Sequence, residues 1–301
     1  RTKDISTGRA YDWYNVGKLR NSGFEFDLNV KLIQKKDWYW DMSVNGYTYA
    51  NKMLNLPDEY KVSGMPNGNQ RIYEGKDIYR WEMRQFAGLD EKGNSLWYMD
   101  RDLTDGEGNV VGVEKVTTGD ATEATQYLLE KSALPDFTGG LNTTLRWKSL
   151  DLTIMTNFQF GGYGYDYDFS AFSSANFPMN RLKNYADAWN PETGKGSAPI
   201  WNTNDSNINA SSDRFLISKT YFNLRNITLG YTFPANWMSK IGIKSVRVYF
   251  ACDNVFFASK RKGYDPRTSM GGQGATVALN SVDGTYYSPI RTTSVGLNIN
   301  F

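Results

Sequence analysis

Histidine is absent from the 301 residues, and Cys252 is the single cysteine. Without histidine, the chain cannot build a serine–histidine–aspartate triad or the usual histidine-ligated transition-metal site. One cysteine cannot form a disulfide within the chain. These two absences remove much hydrolytic and transition-metal chemistry from consideration.

The chain also lacks a large charge excess and a long apolar run. Its formal net charge is +2 and no long basic segment occurs, so nothing in the composition points to nucleic acid. It has no run of about 18 apolar residues that could form a membrane helix. Aromatic residues, in contrast, make up 15% of the chain. A polar average composition is still compatible with a membrane barrel, because only alternate strand residues touch lipid.

The last eleven residues, Arg291–Phe301, alternate strictly between polar and apolar side chains. This alternation predicts a β-strand with two unlike faces. Its length matches the roughly 9–11 residues with which a tilted strand crosses a bilayer. An aromatic last residue is typical of the girdle where membrane strands leave the lipid. The spacing of four residues resembles the C-terminal signal read by the barrel-assembly machinery: Ser294, Gly296, Ile299 and Phe301. The closing strand of a soluble β-sandwich remains the alternative for this stretch alone.

The same period-two alternation recurs along the chain and predicts about nine strands. The first part predicts strands near 23–33, 38–53, 72–87 and 95–100, and the second part near 141–147, 150–160, 215–233, 244–257 and 291–301. A short helix is predicted at about 179–189. We expect one face to meet lipid: Phe24, Phe26, Leu28, Val30, Leu145, Leu152, Ile154, Val246, Val248, Val295 and Leu297. The opposite face is expected to line a lumen: Glu25, Asp27, Asn142, Arg146 and Asp151.

Short and long connections alternate between the predicted strands, as in outer-membrane barrels with short periplasmic turns and long external loops. The short connections are 34–37, 88–94, 148–149 and 234–243, which we predict to be periplasmic. Aromatic residues gather beside them, as in an interfacial girdle: Trp38, Trp40, Phe86, Trp97, Tyr98, Trp147, Tyr231, Phe233 and Phe301. The sequence therefore predicts an all-β, transmembrane antiparallel β-barrel. Because nine is an odd strand count, we expect more of the barrel to lie N-terminal to Arg1.

One stretch, 221–234, reads YFNLRNITLGYTFP, and further characteristic stretches are 15–17, 21–25, 248–255, 263–266 and 291–301. Together these stretches resemble the C-terminal portion of the barrel of SusC/RagA-type TonB-dependent outer-membrane transporters, and 221–234 is the most specific of them. The chain departs from the family pattern at Asn223, Asp253 and Arg267. These departures leave the expected fold intact but prevent any substrate from being carried over.

The resemblance implies one barrel domain over residues 1–301, corresponding to the last nine strands of a 22-stranded barrel. The plug and the segment that contacts the TonB complex are expected outside these residues. It further implies residence in the outer membrane, import of glycan or peptide cargo, a SusD-like lipoprotein partner, and a dimer of transporter–lipoprotein pairs. A passive porin and a soluble glycan-binding or glycan-cleaving β-domain remain alternative functions.

No catalytic, cofactor or metal site is predicted from the sequence, and non-enzymatic function is expected. Asp166 and Asp168 are too few oxygen ligands for a calcium site. The long insertion 161–213 is the candidate for contact with cargo or with the lipoprotein cap, because it carries aromatic rings among amides and carboxylates: Tyr163, Tyr165, Tyr167, Trp189 and Trp201. The alternative is that these rings merely pack the loop onto the barrel mouth.

Overall fold

A computed structural model describes residue 8 and residues 17–173, 183, 187–202, 205, 207–208, 210–260 and 290–301. Seven antiparallel strands form its main sheet, in the spatial order β1-β2-β10-β11-β14-β15-β16. Every neighbouring pair in this order is antiparallel. The main-sheet strands are β1 (Lys18–Gln34), β2 (Trp38–Asn55), β10 (Phe137–Trp147), β11 (Leu150–Phe160), β14 (Tyr221–Thr232), β15 (Ser245–Ser259) and β16 (Thr292–Asn300).

The remaining strands lie in the long connections and form three small sheets. The first long connection holds β3 (Met65–Asn67), β4 (Gln70–Ile72), β5 (Arg80–Arg84), β6 (Phe86–Leu89), β7 (Ser95–Thr104), β8 (Val110–Thr118) and β9 (Gln126–Ser132). The second holds β12 (Tyr163–Tyr165), helix α1 (Tyr167–Phe172) and β13 (Leu216–Ser218). Helix α2 (Ala235–Met238) lies between β14 and β15. We call the elements of these two long connections the loop layer.

All short connections of the main sheet lie at one end, which we call the turn end. Residues 35–37, 148–149 and 233–244 join adjacent strands there, and Lys148 takes a φ of 51° in the two-residue turn. The long connections 56–136 and 161–220 leave from the opposite end, the loop end. Three of the four predicted short turns are therefore confirmed as links between main-sheet strands.

Strand register divides the main sheet into an apolar face and a polar face. The pairs Leu28–Val44, Leu145–Leu152 and Val248–Leu297 stand on one face. Asp151 stands on the other, opposite Gly230 of β14. The residues expected on one face and those expected on the other are therefore confirmed to lie on opposite faces of the main sheet.

The predicted strand 72–87 and the neighbouring turn 88–94 do not belong to the main sheet, so their placement in the barrel wall is wrong. The alternation of Trp81 and Met83 is real, but it buries these residues in the loop layer. Trp97 was expected in the girdle and is instead 1% exposed, packed against Ala121 and Ala124. Phe86 and Tyr98 lie in the same three-stranded sheet, β6-β7-β8. An alternation of period two in the sequence identifies a strand and its two faces, but it does not identify the sheet to which the strand belongs.

One further expectation differs from the structure, and another lies mostly outside the described residues. The count of nine strands is replaced by sixteen in the described residues, seven of them in the main sheet. The predicted helix 179–189 falls mostly outside the described residues, and its described end forms a bridge from Ala188 to Ala198. Across the described parts of the chain, no helix has the length and apolar character needed to cross a membrane.

Candidate functional site

The polar face carries an ion pair that reaches across β14. Arg247 Nε donates to Asp151 Oδ1 at 3.1 Å, and Arg247 Nη2 donates to Asp151 Oδ2 at 2.5 Å. Gly230 lies beneath the pair, and a Cβ there would stand 2.3 Å from Arg247 Nη2. Only the missing side chain of Gly230 leaves room for Asp151 of β11 and Arg247 of β15 to meet.

An amide network occupies the polar face nearer the loop end. Asn223 is 1% exposed, and its Nδ2 donates to Asn157 Oδ1 at 2.7 Å. Asn157 Nδ2 in turn donates to the Tyr221 hydroxyl at 3.2 Å. Asn223 and Asp253, both departures from the family pattern, thus have local partners, since Asn226 donates to Asp253 at 2.8 Å. Sequence reasoning missed this network because amide pairing between strands leaves no periodic signal.

The two long connections share one hydrophobic core inside the loop layer. Its buried members come from both connections: Trp81, Met83, Leu129, Ala133, Tyr165 and Phe215. Polar contacts join the same segments, because Trp81 Nε1 donates to the Tyr163 carbonyl at 3.1 Å and the Phe86 amide donates to Asp213 at 2.9 Å. The loop layer is therefore a packed structure and not a set of independent loops.

Three of the predicted contact residues lie in or against this core. Tyr165 is 3% exposed and packs edge-on against Tyr167 at 4.7 Å and Phe215 at 5.8 Å between ring centroids. Tyr163 and Tyr167 are half-buried against the same cluster. In this arrangement the tyrosines hold the second connection onto the first.

The two predicted tryptophans differ in exposure. Trp189 is half-buried over Gly93, where an added Cβ would stand 2.2 Å from the indole ring. Trp201 is 46% exposed. The Ile200 amide donates to the Gly93 carbonyl at 2.9 Å and fixes this segment to the β6–β7 turn. Of the five predicted residues, Trp201 thus offers the most accessible ring for an external partner.

The predicted assembly-signal residues lie on the edge strand β16 and just beyond it. Ser294 and Gly296 belong to the polar face and Ile299 to the apolar face, opposite Val246. Gly296 lies beneath the ring of Tyr249, which a Cβ would approach to 2.1 Å. Phe301 follows the strand and is 78% exposed.

Two cavities open between the loop layer and the loop end of β2. One, of about 760 Å³, lies between β2 and residues 65–79 and 133–135, with Lys219 in its wall. The other, of about 780 Å³, is lined by cations that include Arg80. Arg80 is paired there with Asp77 at 3.3 Å and with Glu130 at 2.6 Å, and these hydrogen bonds outweigh burial and raise the pKa of its guanidinium.

Asp166 has a structural role in the described residues. It caps α1 by accepting a hydrogen bond from the Phe169 amide at 2.8 Å, and it is 1% exposed. No group of three or more histidine, cysteine or acidic side chains that could hold a metal ion occurs within the described ranges. Cys252 is buried on the apolar face of β15.

Comparison with known proteins identifies relatives across nearly the whole chain, although no protein-family model matches it. TonB-dependent receptor P3 of Formosa agariphila is 25% identical over 308 residues, which cover 95% of this chain and 29% of the relative. TonB-dependent receptor SusC of Bacteroides thetaiotaomicron is 26% identical over 294 residues, 95% of this chain and 27% of the relative. The chain thus spans less than a third of the length of these curated relatives.

Solved structures agree with the sequence relatives. The RagAB peptide transporter matches with a TM-score of 0.70 and 26% identity, over 90% of this chain and 29% of that chain. The relatives are receptors and transporters by name, which favours a non-enzymatic function. Sequence and structure thus agree: over nearly its whole length the chain is similar to part of TonB-dependent receptors of the SusC kind and to part of the RagAB transporter.

Proposed function

We propose that this chain is part of the barrel wall and outer loops of an outer-membrane importer of the TonB-dependent type. The apolar face of the main sheet meets lipid, and the polar face lines the lumen. The importer takes up oligosaccharides or peptides together with a SusD-like surface lipoprotein. Residues 1–301 all belong to one barrel domain in this proposal, and energy comes from the TonB complex.

The observation that carries the proposal is the distance between two aromatic belts on the apolar face. Trp38 and Trp147 pack at 5.7 Å at the turn end. Phe26, Phe137 and Phe158 form a stacked row near the loop end, with centroids 6.1–6.4 Å apart. Phe137 and Trp147 are the ends of β10, so they are separated by about 33 Å along the strand at roughly 3.3 Å per residue. With a tilt of roughly 40°, that gives a band about 25 Å tall, the height expected for a membrane barrel.

The position of the connections supports an orientation with the loop layer outside the cell. Outer-membrane barrels keep short turns at the periplasmic rim and long loops outside. Every described short connection of the main sheet lies at the turn end, whereas the loop layer lies entirely at the other end. The loop layer is therefore the surface that meets cargo and lipoprotein.

Trp201 is the proposed contact for the lipoprotein cap, with Trp189 and the three tyrosines supporting its position. Exposed tryptophans are enriched among the residues that dominate binding energy at protein interfaces. Trp201→Ala should reduce co-purification of the lipoprotein at least about tenfold. Trp237→Ala is the matched control, because Trp237 is 57% exposed but lies at the turn end, in α2. Normal co-purification and normal uptake by the Trp189→Ala, Trp201→Ala double variant would show that this segment is only scaffolding.

The test of the importer is uptake by cells that express the full-length receptor. Labelled oligosaccharide and labelled peptide are offered separately, with and without an uncoupler that collapses the proton-motive force. We expect one cargo class to accumulate, and accumulation to stop with the uncoupler or in cells that lack TonB. Uptake that continues unchanged after uncoupling would identify a passive porin. Recovery of the receptor in the soluble fraction without detergent would identify a soluble β-domain.

A further inference from the structure

The cavity of about 760 Å³ beside Lys219, which we call the Lys219 cavity, has the size of a small-molecule site. It lies at the loop end, where the polar face of β2 meets the loop layer. Tyr47 and Tyr49 of β2 form one wall, and Ile78, Tyr79 and Leu134 of the first long connection contribute to the other. This part of the polar face thus provides mainly aromatic and aliphatic surface, with the amide side chains of Asn67 and Gln159 in the same lining.

Lys219 is the charged group in the wall of this cavity. The residue is 4% exposed, and its Nζ donates to the Ala133 carbonyl at 3.4 Å. Its backbone is fixed on both sides, because the Lys219 amide donates to Gly162 at 2.9 Å and Gln159 Nε2 donates to the Lys219 carbonyl at 3.2 Å. The Lys219 backbone is therefore held by the second long connection and by β11, and its ammonium contacts the first long connection at Ala133.

Burial of this ammonium is energetically unfavourable, and an anion would offset that cost. Lys219 lies beyond the loop-end belt of the apolar face, and burial lowers the pKa of its ammonium to about 8. A carboxylate placed against a lysine in an apolar pocket makes a charge-assisted hydrogen bond, which is stronger there than in water. The apolar walls of the cavity would favour a carboxylate that is attached to an apolar group.

We propose that the Lys219 cavity binds small organic carboxylates that carry an aromatic or branched apolar body. The ammonium of Lys219 receives the carboxylate, and Tyr47, Tyr49 and Ile78 contact the apolar body. The biological meaning of the site, recognition of a carboxylate-bearing cargo at the loop end, rests on the proposed importer function. Binding itself does not depend on energy or on transport.

The test uses the full-length receptor purified in detergent and titrated calorimetrically with matched probes. The probes are N-acetyltyrosine, its carboxamide, and galacturonate, a carboxylate on a polar sugar ring. We expect the free acid to bind at least about tenfold more tightly than the carboxamide, in line with the strength of a charge-assisted hydrogen bond. Galacturonate should bind at least about tenfold more weakly than the aromatic acid, because the walls are apolar.

Lys219→Met should remove the preference for the acid, so that the variant binds the acid and the carboxamide with equal affinity. Lys195→Met, at an exposed lysine, is the control and should behave like the parent. Leu134→Trp fills the cavity without touching the charge and should abolish binding of both aromatic probes, which keeps the test decisive if Lys219→Met fails to fold. Equal binding of acid and carboxamide to the parent, equal binding of galacturonate, or unchanged binding by Leu134→Trp would each overturn the proposal.

Failure of this site and failure of the importer are distinguishable. If the parent receptor binds the acid no more tightly than the carboxamide but cells still show uncoupler-sensitive uptake, only the carboxylate site is refuted. Tight, Lys219-dependent binding without energised uptake would refute only the importer.

Discussion

Replacing Gly230 with alanine tests whether the ion pair across β14 stabilises the main sheet. The added Cβ would stand 2.3 Å from Arg247 Nη2 and 2.6 Å from Asp151 Oδ1, closer than any real contact. Both atoms end flexible side chains, so we expect the side chains to separate while the backbone stays. The free energy of unfolding should then fall by the contribution of the Arg247–Asp151 ion pair. The Arg247 and Asp151 side chains are 29% and 19% exposed. Hydrogen bonds to charged groups contribute about 1.5–3 kcal/mol, and partial exposure reduces this, so we expect a loss of about 1–2 kcal/mol.

The direction of the stability change distinguishes a clash with the ion pair from the general effect of replacing a glycine with alanine. Glycine within a strand normally costs about 0.5–1 kcal/mol relative to alanine, so an unhindered Gly→Ala change should stabilise. Gly112→Ala in β8 is such a control, because the nearest atom to its added Cβ is Leu103 Cδ1 at 3.8 Å. The assay is urea unfolding of the receptor in detergent, followed by tryptophan fluorescence and by gel mobility of the folded form.

A double-mutant cycle with Arg247→Ala completes the test, because the cost of Gly230→Ala should fall by more than half once the guanidinium is gone. Stabilisation by Gly230→Ala, or an equal cost in both backgrounds, would refute the reasoning.

Three other predictions follow from the same structure. Leu152→Arg places a charge on the apolar face and should cost about 2–4 kcal/mol near the bilayer midplane, whereas Asp151→Asn should cost about 1 kcal/mol or less; comparable surface abundance of the two variants would contradict the assigned faces. A cysteine at Glu107, in the exposed β7–β8 turn, should be labelled on whole cells by an impermeant thiol reagent, and one at Lys148 should not; the reverse pattern would invert the orientation. Lys219→Met should stabilise the receptor at pH 7 by up to about 3 kcal/mol. The lysine pKa is about 8 when folded and 10.5 when unfolded, so its charge disfavours folding below pH 8 and the benefit of methionine should vanish as pH rises toward 10.5; a benefit independent of pH, measured by thermal unfolding, would contradict this.

The main sheet could be predicted because burial of one face imposes period two on the sequence. The hairpin of β10 and β11 was predicted within a few residues, since a two-residue connection fixes both pairing and register. The last strand, β16, could be predicted from the strict alternation of polar and apolar residues over 291–301.

The loop layer could not be predicted to the same extent. Strand β8 was missed because Val110, Val111 and Val113 are all exposed, so no face is buried. The strand is held by backbone pairing with β7 and by contacts such as the Arg101–Glu114 ion pair at 2.6 Å. Strands β5 and β6 were recognised as extended but assigned to the wrong sheet. The Lys219 cavity had no sequence signal, because Tyr47 and Lys219 are brought together only by the packing of both long connections.

The shared core of the loop layer also constrains how this surface can change over evolutionary time. Trp81 of one connection and Phe215 of the other are packed in the same cluster, so a change in volume at either position must be matched by the other connection. Divergence is therefore expected as paired substitutions within the cluster, or as single substitutions in the outer part of the β7–β8 ribbon, residues 101–111, which is exposed. Insertions and deletions should concentrate at the tip of that ribbon, around Asp105–Asn109, where length can vary without disturbing the core.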